Sequence, residues 1–315
     1  MKKKFLVSVV ITTYNRTDFL SSAIESVVNQ TYDNIEIVVV DDNAENEKSR
    51  STVEKIIRNY PQCVLVKNKT RMGGALARNE GIRHSHGELI SFLDDDDSYF
   101  PDRIEKCVEV YEENQSLGFI YTYCQAVNVD GKVLCVYERT PEKNVLLQHL
   151  RESCLCATSQ WVVPRKTFFE VGYFEDTPCK QDSIMLLKIL GAQKEIACVP
   201  QILSNYMVHN LGKISGNPQR NIIGINRYRD FSRRYFHLLT REEQNIVESS
   251  FAKELILNYS LLRERKKAFV ELKNFIKKNR LFKKECAKLI AMIFLSGRYF
   301  ELRTAFHRLV KKRCG

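Results

Sequence analysis

The sequence predicts an α/β fold, a mostly parallel β-sheet flanked by helices, followed by a basic C-terminal helical region. Three observations predict it. Short β-branched runs alternate with helical apolar periods over the first hundred residues, the pattern of strand–helix–strand crossovers. Polar and acidic residues gather just after those runs. The charge is also uneven: residues 216–315 hold 24 Lys+Arg against 9 Asp+Glu, a net +15, whereas residues 1–215 hold 25 against 29, a net −4.

Taken in order, Phe5–Thr12 (FLVSVVIT) reads as a buried strand. Leu20, Ile24, Val27 and Val28 then share one helical face. Ile35–Val40 is the next strand, Val53, Ile56, Ile57 and Tyr60 mark a helix, and Cys63–Val66 is a short strand. Ala75–Arg83 reads as a helix behind a Gly-Gly turn, and Leu89–Leu93 as a strand. Pro101 suits a first helical position, ahead of the apolar face of Ile104, Cys107, Val108 and Tyr111. Phe119–Cys124 is a strand, and Val127–Val136 a hairpin turning at Asp130-Gly131. Strand-like pieces at 158–164 and 195–208 flank a helix at about 182–191. Ser215-Gly216-Asn217-Pro218 reads as a linker. The expected division is therefore 1–215 and 216–315.

Composition narrows the classes. At 44% hydrophobic residues the chain has material for a core and is not a disordered polymer. Ten cysteines without disulfide-scaffold or zinc-ribbon spacing read as free, mostly buried thiols of a reducing compartment, with Cys154 and Cys156 near His149 only a weak metal candidate. The apolar run after Met1-Lys-Lys-Lys is too short for a signal-peptide core or a span, and no segment reaches about 18 continuous apolar residues. The expected setting is cytoplasmic, with peripheral attachment to the inner face of the cell membrane as an option.

In an open α/β sheet ligands bind at the carboxyl ends of the strands, and there the polar residues stand. The first strand ends in Thr12-Thr13-Tyr14-Asn15-Arg16 and the second in Asp41-Asp42-Asn43. The fourth is preceded by Gly73-Gly74-Ala75-Leu76-Ala77-Arg78-Asn79 and ends in Asp94-Asp95-Asp96-Asp97. Four consecutive carboxylates repel one another unless a cation offsets them. Hard divalent ions such as Mg²⁺ or Mn²⁺ take carboxylate oxygen and bridge to diphosphate; the plainer alternative is an acidic cap on the next helix. Asp42 can accept from a base or ribose. Arg78 and Asn79 can meet a phosphate or ribose, and Arg78 can equally be a surface ion pair. There is no G-x-G-x-x-G after the first strand and no G-x-x-x-x-G-K-[ST], which disfavours dinucleotide oxidoreductases and P-loop kinases.

At these residues the sequence resembles the family 2 glycosyltransferases of the GT-A fold. The matching stretches, in the family's order, are VSVVITTYNR (7–16), IEIVVVDDNAENE (35–47), RMGGALARNEGI (71–82), GELISFLDDDDSYFPDRI (87–104), VGYFEDTPCKQDSIMLLKILG (171–191) and, more weakly, VPQILSNYMVHNLGKIS (199–215). The last hundred residues lie outside the resemblance. It implies an inverting single displacement from a nucleotide-diphosphate sugar, expected to be a UDP-sugar, onto a saccharide or lipid-linked acceptor, in a setting such as capsule or lipopolysaccharide assembly. Carried onto this chain, it places Thr12, Tyr14 and Asp42 around the nucleoside, and Arg78 at the ribose or phosphates. Asp94, Asp95 and Asp96 cover the D-x-D element, with Asp96 as ligand of Mn²⁺ or Mg²⁺ and His209 near that metal. Asp182 becomes the general base on the acceptor hydroxyl; its family partner is Glu, and here Gln181 stands there. Without the resemblance Asp182 reads as a helix N-cap and His209 as structural; Trp161, the only tryptophan, has a ring able to stack on a sugar face but reads rather as packed in the sheet beside Val162 and Val163.

The tail interleaves Leu289, Ile290, Ile293, Phe294, Phe300, Leu302, Phe306 and Leu309 with Lys and Arg. That mixture suits an interfacial helix on anionic lipid or a helical subdomain whose charges face water. Three alternatives stand beside the transferase. A sugar nucleotidylyltransferase is disfavoured because TTYNRTDF carries no glycine. A non-catalytic nucleic-acid-binding protein is disfavoured because its acidic strand ends would repel phosphates, so no nucleic-acid partner is expected. A degenerate family member that no longer transfers is kept open by Gln181.

Overall fold

The computed structural model describes residues 4–152, 155–209, 217–278 and 283–295. These fall into two compact units, one within Met1–Gln148, Cys154–Asp176 and Gln181–Leu211, the other within His149–Ser153, Thr177–Lys180 and Gly212–Gly315. The linker residues Ser215 and Gly216, Cys154, and the tail positions from Arg298 onward lie outside the described residues.

The first unit is built on one sheet. Its strands are β1 (Val7–Thr13), β2 (Ile35–Asp41), β3 (Cys63–Lys67), β4 (Leu89–Asp94), β5 (Ser98–Tyr99), β6 (Phe119–Val127), β7 (Val133–Tyr137), β8 (Trp161–Pro164) and β9 (Ile196–Met207). Among the described residues the order is β3-β2-β1-β4-β8-β6-β9-β5, with β7 beside β6. Strands β1 to β4 are mutually parallel, and β6 runs parallel to β9. The pairs made by β8, β5 and β7 are antiparallel. The expected parallel character thus holds for β1 to β4 and for the β6–β9 pair, and the antiparallel pairs of β5, β7 and β8 make the sheet mixed. Chain order reverses at β1, between β2 and β4, which opens the crevice where α/β sheets bind ligands.

Alternation along the strands supplies two cores. Val7, Val9, Ile11, Ile37 and Val39 face one side and meet α1 (Thr17–Val28), α2 (Glu47–Ile57) and α4 (Arg103–Glu113). Val10, Val38, Val40, Ile90 and Phe92 face the other, against α3 (Gly74–His84), α6 (Arg165–Val171) and α7 (Gln181–Gly191). Successive strand residues point to opposite faces, so each buried strand serves both layers. Helix α1 buries Leu20, Ala23, Ile24 and Val27 at i, i+3, i+4, i+7, while Val28, expected on that face, is 43% exposed. Gly81 lets α3 lie close on the sheet: a Cβ there would stand 2.2 Å from Val10 Cγ1. Trp161 is fully buried between Phe119 and Phe174.

Two local expectations are corrected. Pro101 does not open α4, which begins at Arg103 after Asp102. The piece at 158–164, read as strand-like, opens with a 3₁₀ turn at Thr158–Gln160 before β8 begins at Trp161, and α5 (Val145–Glu152) precedes it. All eight cysteines among the described residues are free thiols, with Cys107, Cys124, Cys156 and Cys179 buried and Cys135 exposed.

The second unit is helical: α8 (Pro218–Arg233), α9 (Arg241–Leu261), α10 (Arg265–Lys278) and α11 (Lys283–Leu295). Asn217 caps α8 with Pro218 behind it, and Thr240 with Glu243 forms a capping box on α9. Ala252, Ile256, Ala268, Leu272, Phe275, Leu289 and Ile293 make its core. The apolar stripe read from the sequence therefore divides: Leu289 and Ile293 pack inward, whereas Ile290 and Phe294 are exposed. Part of the basic charge is internally paired, since the nearly buried Glu248 meets Arg229 at 2.5 Å, Arg233 at 3.2 Å and Lys278 at 3.3 Å. No described helix is long and apolar enough to cross a membrane.

Candidate active site

The carboxyl ends of β1, β2 and β4 lie side by side, with Thr12 in register with both Val40 and Asp94. β4 ends in a tight turn in which the Asp97 N–H donates to the Asp94 carbonyl. The turn bunches the side chains, so that ligand atoms of Asp94, Asp96 and Asp97 lie within 4.8 Å of one another. Three hard oxygen donors at that spacing fit a divalent cation of the Mg²⁺ or Mn²⁺ type. His209 joins the group, its Nε2 2.8 Å from Asp96 Oδ2 and its ring stacked on Phe19 at 5.3 Å.

The four aspartates differ in their surroundings. Asp95 is fully buried, turned toward β1, where it accepts from the Tyr14 N–H at 3.3 Å and pairs with Arg16 at 2.7 Å. Burial pushes its carboxyl up to about 7: Arg16 opposes the shift, and Asp96 and Asp94 add to it. Asp97 is raised well above the ordinary range by burial and by Asp94 and Asp96, and is held by the Ser159 hydroxyl at 2.6 Å and the Met207 N–H at 3.0 Å. Asp94 pairs with Arg78 at 2.5 Å. Asp96 takes both His209 and a short contact from Arg16.

Beneath this turn lies Arg103, fully buried. It donates to Ser91 Oγ at 2.9 Å and to the Trp161 carbonyl at 3.2 Å, with its guanidinium 3.9 Å from the Tyr99 ring centroid. It ties β4, β8 and β5 together behind the acidic turn.

The remaining candidate residues sit as follows. Asp42 is 3% exposed and accepts from Asn68 Nδ2 and from the Met72 and Gly73 N–H groups, each at 2.8 Å. It thus shapes the loop that leads into α3. The Tyr14 ring lies under the Arg71 guanidinium at 4.3 Å. Asn79, read as a possible phosphate or ribose contact, is instead buried and clamps the Phe174 backbone in both directions at 2.9 Å. Asp182 lies in the first turn of α7 and accepts from the Ser183 N–H at 2.8 Å. Gln181 brings this helix start to the site. A Cβ on Gly74 would lie 3.4 Å from Arg78 Nη1 and 3.6 Å from Gln181 Oε1, and Arg78 is the partner of Asp94. The structure therefore brings Thr12, Tyr14, Asp42, Arg78, Asp94, Asp95, Asp96 and His209 to one end of the sheet, with the start of α7 beside Arg78.

Sequence reading gave no role to Arg16, Arg71, Arg103 or Ser159. Arg16 had a signal: it stands in the helix N-cap position, where Arg has no capping oxygen, opposite a run of acids. Ser159 had none, since its contacts with Asp94 and Asp97 span more than sixty residues.

A Rossmann-like sheet with an acidic turn at its switch point is the arrangement of the GT-A fold. The sequence pattern of glycosyl transferase family 2 matches residues 8–170, more than half of the chain, and the chain belongs to this family. An uncharacterized glycosyltransferase of Methanocaldococcus jannaschii is 25% identical over 211 residues, 66% of this chain and 72% of that protein. One from Haemophilus influenzae is 38% identical over 125 residues, 39% of this chain and 41% of the relative. Among solved structures, TarS of S. aureus superposes with a TM-score of 0.61 at 18% identity, covering 87% of this chain and 49% of TarS. A mannosyltransferase from Pyrobaculum calidifontis, in complex with GDP-Man and Mn²⁺, gives 0.60 at 18% identity, covering 94% of this chain and 88% of its own. At such identities the structural likeness establishes the fold, which is GT-A. The protein is a glycosyltransferase.

Proposed function

We propose that this glycosyltransferase moves a sugar from a nucleoside-diphosphate donor, a UDP-sugar in our reading, to a hydroxyl of a saccharide or lipid-linked acceptor, with inversion at the anomeric carbon. The observation that carries the reading is the oxygen cluster of Asp94, Asp96 and Asp97 at the strand ends, backed by His209. Relatives of the same fold have been seen with UDP-GlcNAc and with GDP-Man and Mn²⁺, which supports a nucleotide-sugar donor.

Thr12, Tyr14 and Asp42 hold the nucleoside, with Arg71 over the Tyr14 ring. Arg78 faces the phosphates from the mouth of α3, where N–H groups favour anions. Asp96, with Asp94 and His209 beside it, would hold Mn²⁺ or Mg²⁺. Bound there, such an ion supplies positive charge to the departing diphosphate. Asp182 takes the acceptor hydroxyl proton as the oxygen attacks the anomeric carbon, and the bond from that carbon to the diphosphate oxygen breaks. One carboxylate suffices for such a single displacement, and a neutral Gln181 beside it leaves the proton to Asp182 alone. We assign this chemistry to residues 1–215. Residues 216–315 form a helical region that packs by its own core and, through exposed Ile290 and Phe294 with exposed Lys288 on the same helix and Arg265 over the Phe294 ring, rests on anionic membrane at the cytoplasmic face. Cell-surface polysaccharide assembly is the setting this combination suits.

Calorimetry tests it, with UDP, GDP and their sugars, with and without Mn²⁺. Wild type should bind one nucleotide in a manganese-dependent manner, Asp96→Ala should lose that dependence, and Asp182→Asn should keep binding but lose transfer. Absence of nucleotide binding to wild type under either condition refutes the reading.

A further inference from the structure

We propose that Arg16 is the resident counter-cation of the acidic turn and competes with the divalent cation, so that metal loading requires the guanidinium to leave Asp96. The inference rests on the metal reading of the site given above.

Arg16 bridges two of the four aspartates, one guanidinium nitrogen on Asp96 Oδ2 and the other 2.7 Å from Asp95 Oδ1. Its position is costly for the helix it precedes. It occupies the N-cap of α1 without a side-chain cap, and a cation at a helix N-terminus opposes the macrodipole. The turn before it is fixed: Asn15 has φ +57, its N–H donates to Asn43 Oδ1 and its own Oδ1 accepts from Asn46 Nδ2, each at 2.8 Å. A local choice that contradicts helix rules, held by a purpose-built turn, marks a functional demand. What Arg16 gains is the carboxylate pair. The Asp96 oxygen it contacts is also the His209 partner, so that oxygen already carries two donors before a metal arrives. A divalent ion at Asp94, Asp96 and Asp97 would be repelled by a guanidinium on the same carboxylate, and like charges at such range are worth more than the 1.4 kcal/mol that makes a tenfold change in affinity. Once released from Asp96, Arg16 keeps Asp95 as an anchor and remains beside the site. It then faces the diphosphate that arrives with the metal.

The test uses the full chain, stripped with EDTA, and Mn²⁺ alone as probe, read by calorimetry and by the electron paramagnetic resonance signal of free Mn²⁺. Arg16→Gln should bind Mn²⁺ about tenfold or more tighter than wild type. Arg16→Lys, whose single ammonium cannot span both carboxylates, should bind tighter than wild type by a smaller factor. Arg83→Gln, which removes an equal charge from an exposed pair with Glu80, should match wild type. Melting adds a second readout. Without metal Arg16→Gln should melt below wild type, and Mn²⁺ should raise its Tm by more. Equal or weaker Mn²⁺ binding by both Arg16 variants, with wild type binding normally, overturns the competition. Binding by none of the proteins overturns the metal reading itself, and the proposal with it. Should Arg16→Gln fail to fold, Arg16→Lys carries the same comparison.

Discussion

Gly81→Ala isolates how closely α3 must lie on the sheet. Removing a glycine from a helix interior ordinarily stabilises by about 0.5–1 kcal/mol. Here the new methyl would stand 2.2 Å from Val10 Cγ1 and 3.2 Å from Val40 Cγ2, where carbon atoms rest at about 3.5–4.0 Å. Val10 cannot yield. It is 1% exposed, β-branched and so stiff at χ1, and its strand is paired on both sides. The helix must back away by roughly 1 Å or more, an overpacking cost of about 1–3 kcal/mol. Overpacking outweighs propensity, and the net expectation is a loss of about 1–2 kcal/mol. The move also draws Arg78, one turn earlier on α3, from Asp94, so nucleotide affinity should fall with stability. Urea unfolding measures the first and calorimetry the second. Gly74→Ala is the control, because its methyl would meet only movable side-chain ends, Arg78 Nη1 at 3.4 Å and Gln181 Oε1 at 3.6 Å. Wild-type or higher stability for Gly81→Ala would refute the argument that close approach fixes α3.

Three further outcomes are expected. In EDTA, the Asp95 carboxyl, raised by burial to about 7, favours the folded state fully below its ordinary pKa, and that contribution is lost as pH rises through about 7; Asp95→Asn should flatten this fall in a pH series of melting temperatures, by up to a few kcal/mol. In the helical unit, burial opposes the Glu248 charge, but Arg229, with Lys278 and Arg233, outweighs it and holds the carboxyl below its ordinary value. Its contribution is therefore present above about pH 4.5 and lost as pH falls through the lowered value, and Glu248→Gln should cost about 2–3 kcal/mol at pH 7, measured by urea titration. Gln181→Glu places a carboxylate beside Arg78, should draw it from Asp94, and should weaken nucleotide diphosphate binding roughly tenfold, a shift of about 1.4 kcal/mol, by calorimetry.

What the sequence disclosed follows from how local each cause is. Strands β1, β2 and β4 are buried on both faces, so their near-continuous Val and Ile runs announce them, and the polar residues at their ends follow by position. Helix α5 was missed because Val145, Leu146 and Leu150 are too few to set a period against the polar residues around them. The antiparallel return of β8 was invisible for another reason: WVVP reads alike in either direction, and only its pairing with Ile90 and Ile120 decides. In the site, Asp94–Asp97 could be seen because the acids are adjacent in sequence. The partners that distinguish one acid from the next, Arg16, Ser159 and the Met207 N–H, come from three other segments.

Those partners bear on why the strand end tolerates four carboxylates. Ser159 and the Met207 N–H satisfy Asp97 with neutral donors, which offset desolvation but add no positive charge. Arg103 is cationic, yet it spends its hydrogen bonds on a hydroxyl and a carbonyl and makes no ion pair among the described residues. Among the described residues only Arg16 and Arg78 contact the acids with full charge, Arg16 from the N-cap of α1 and Arg78 from the second turn of α3 rather than from the turn itself. The fold thus holds the turn with neutral bonds and meets its charge from two guanidinium groups on other segments. A site neutralised from within would have no electrostatic drive to attract a further cation, whereas one balanced from outside the turn retains that drive at the point where α3 and α1 meet the sheet.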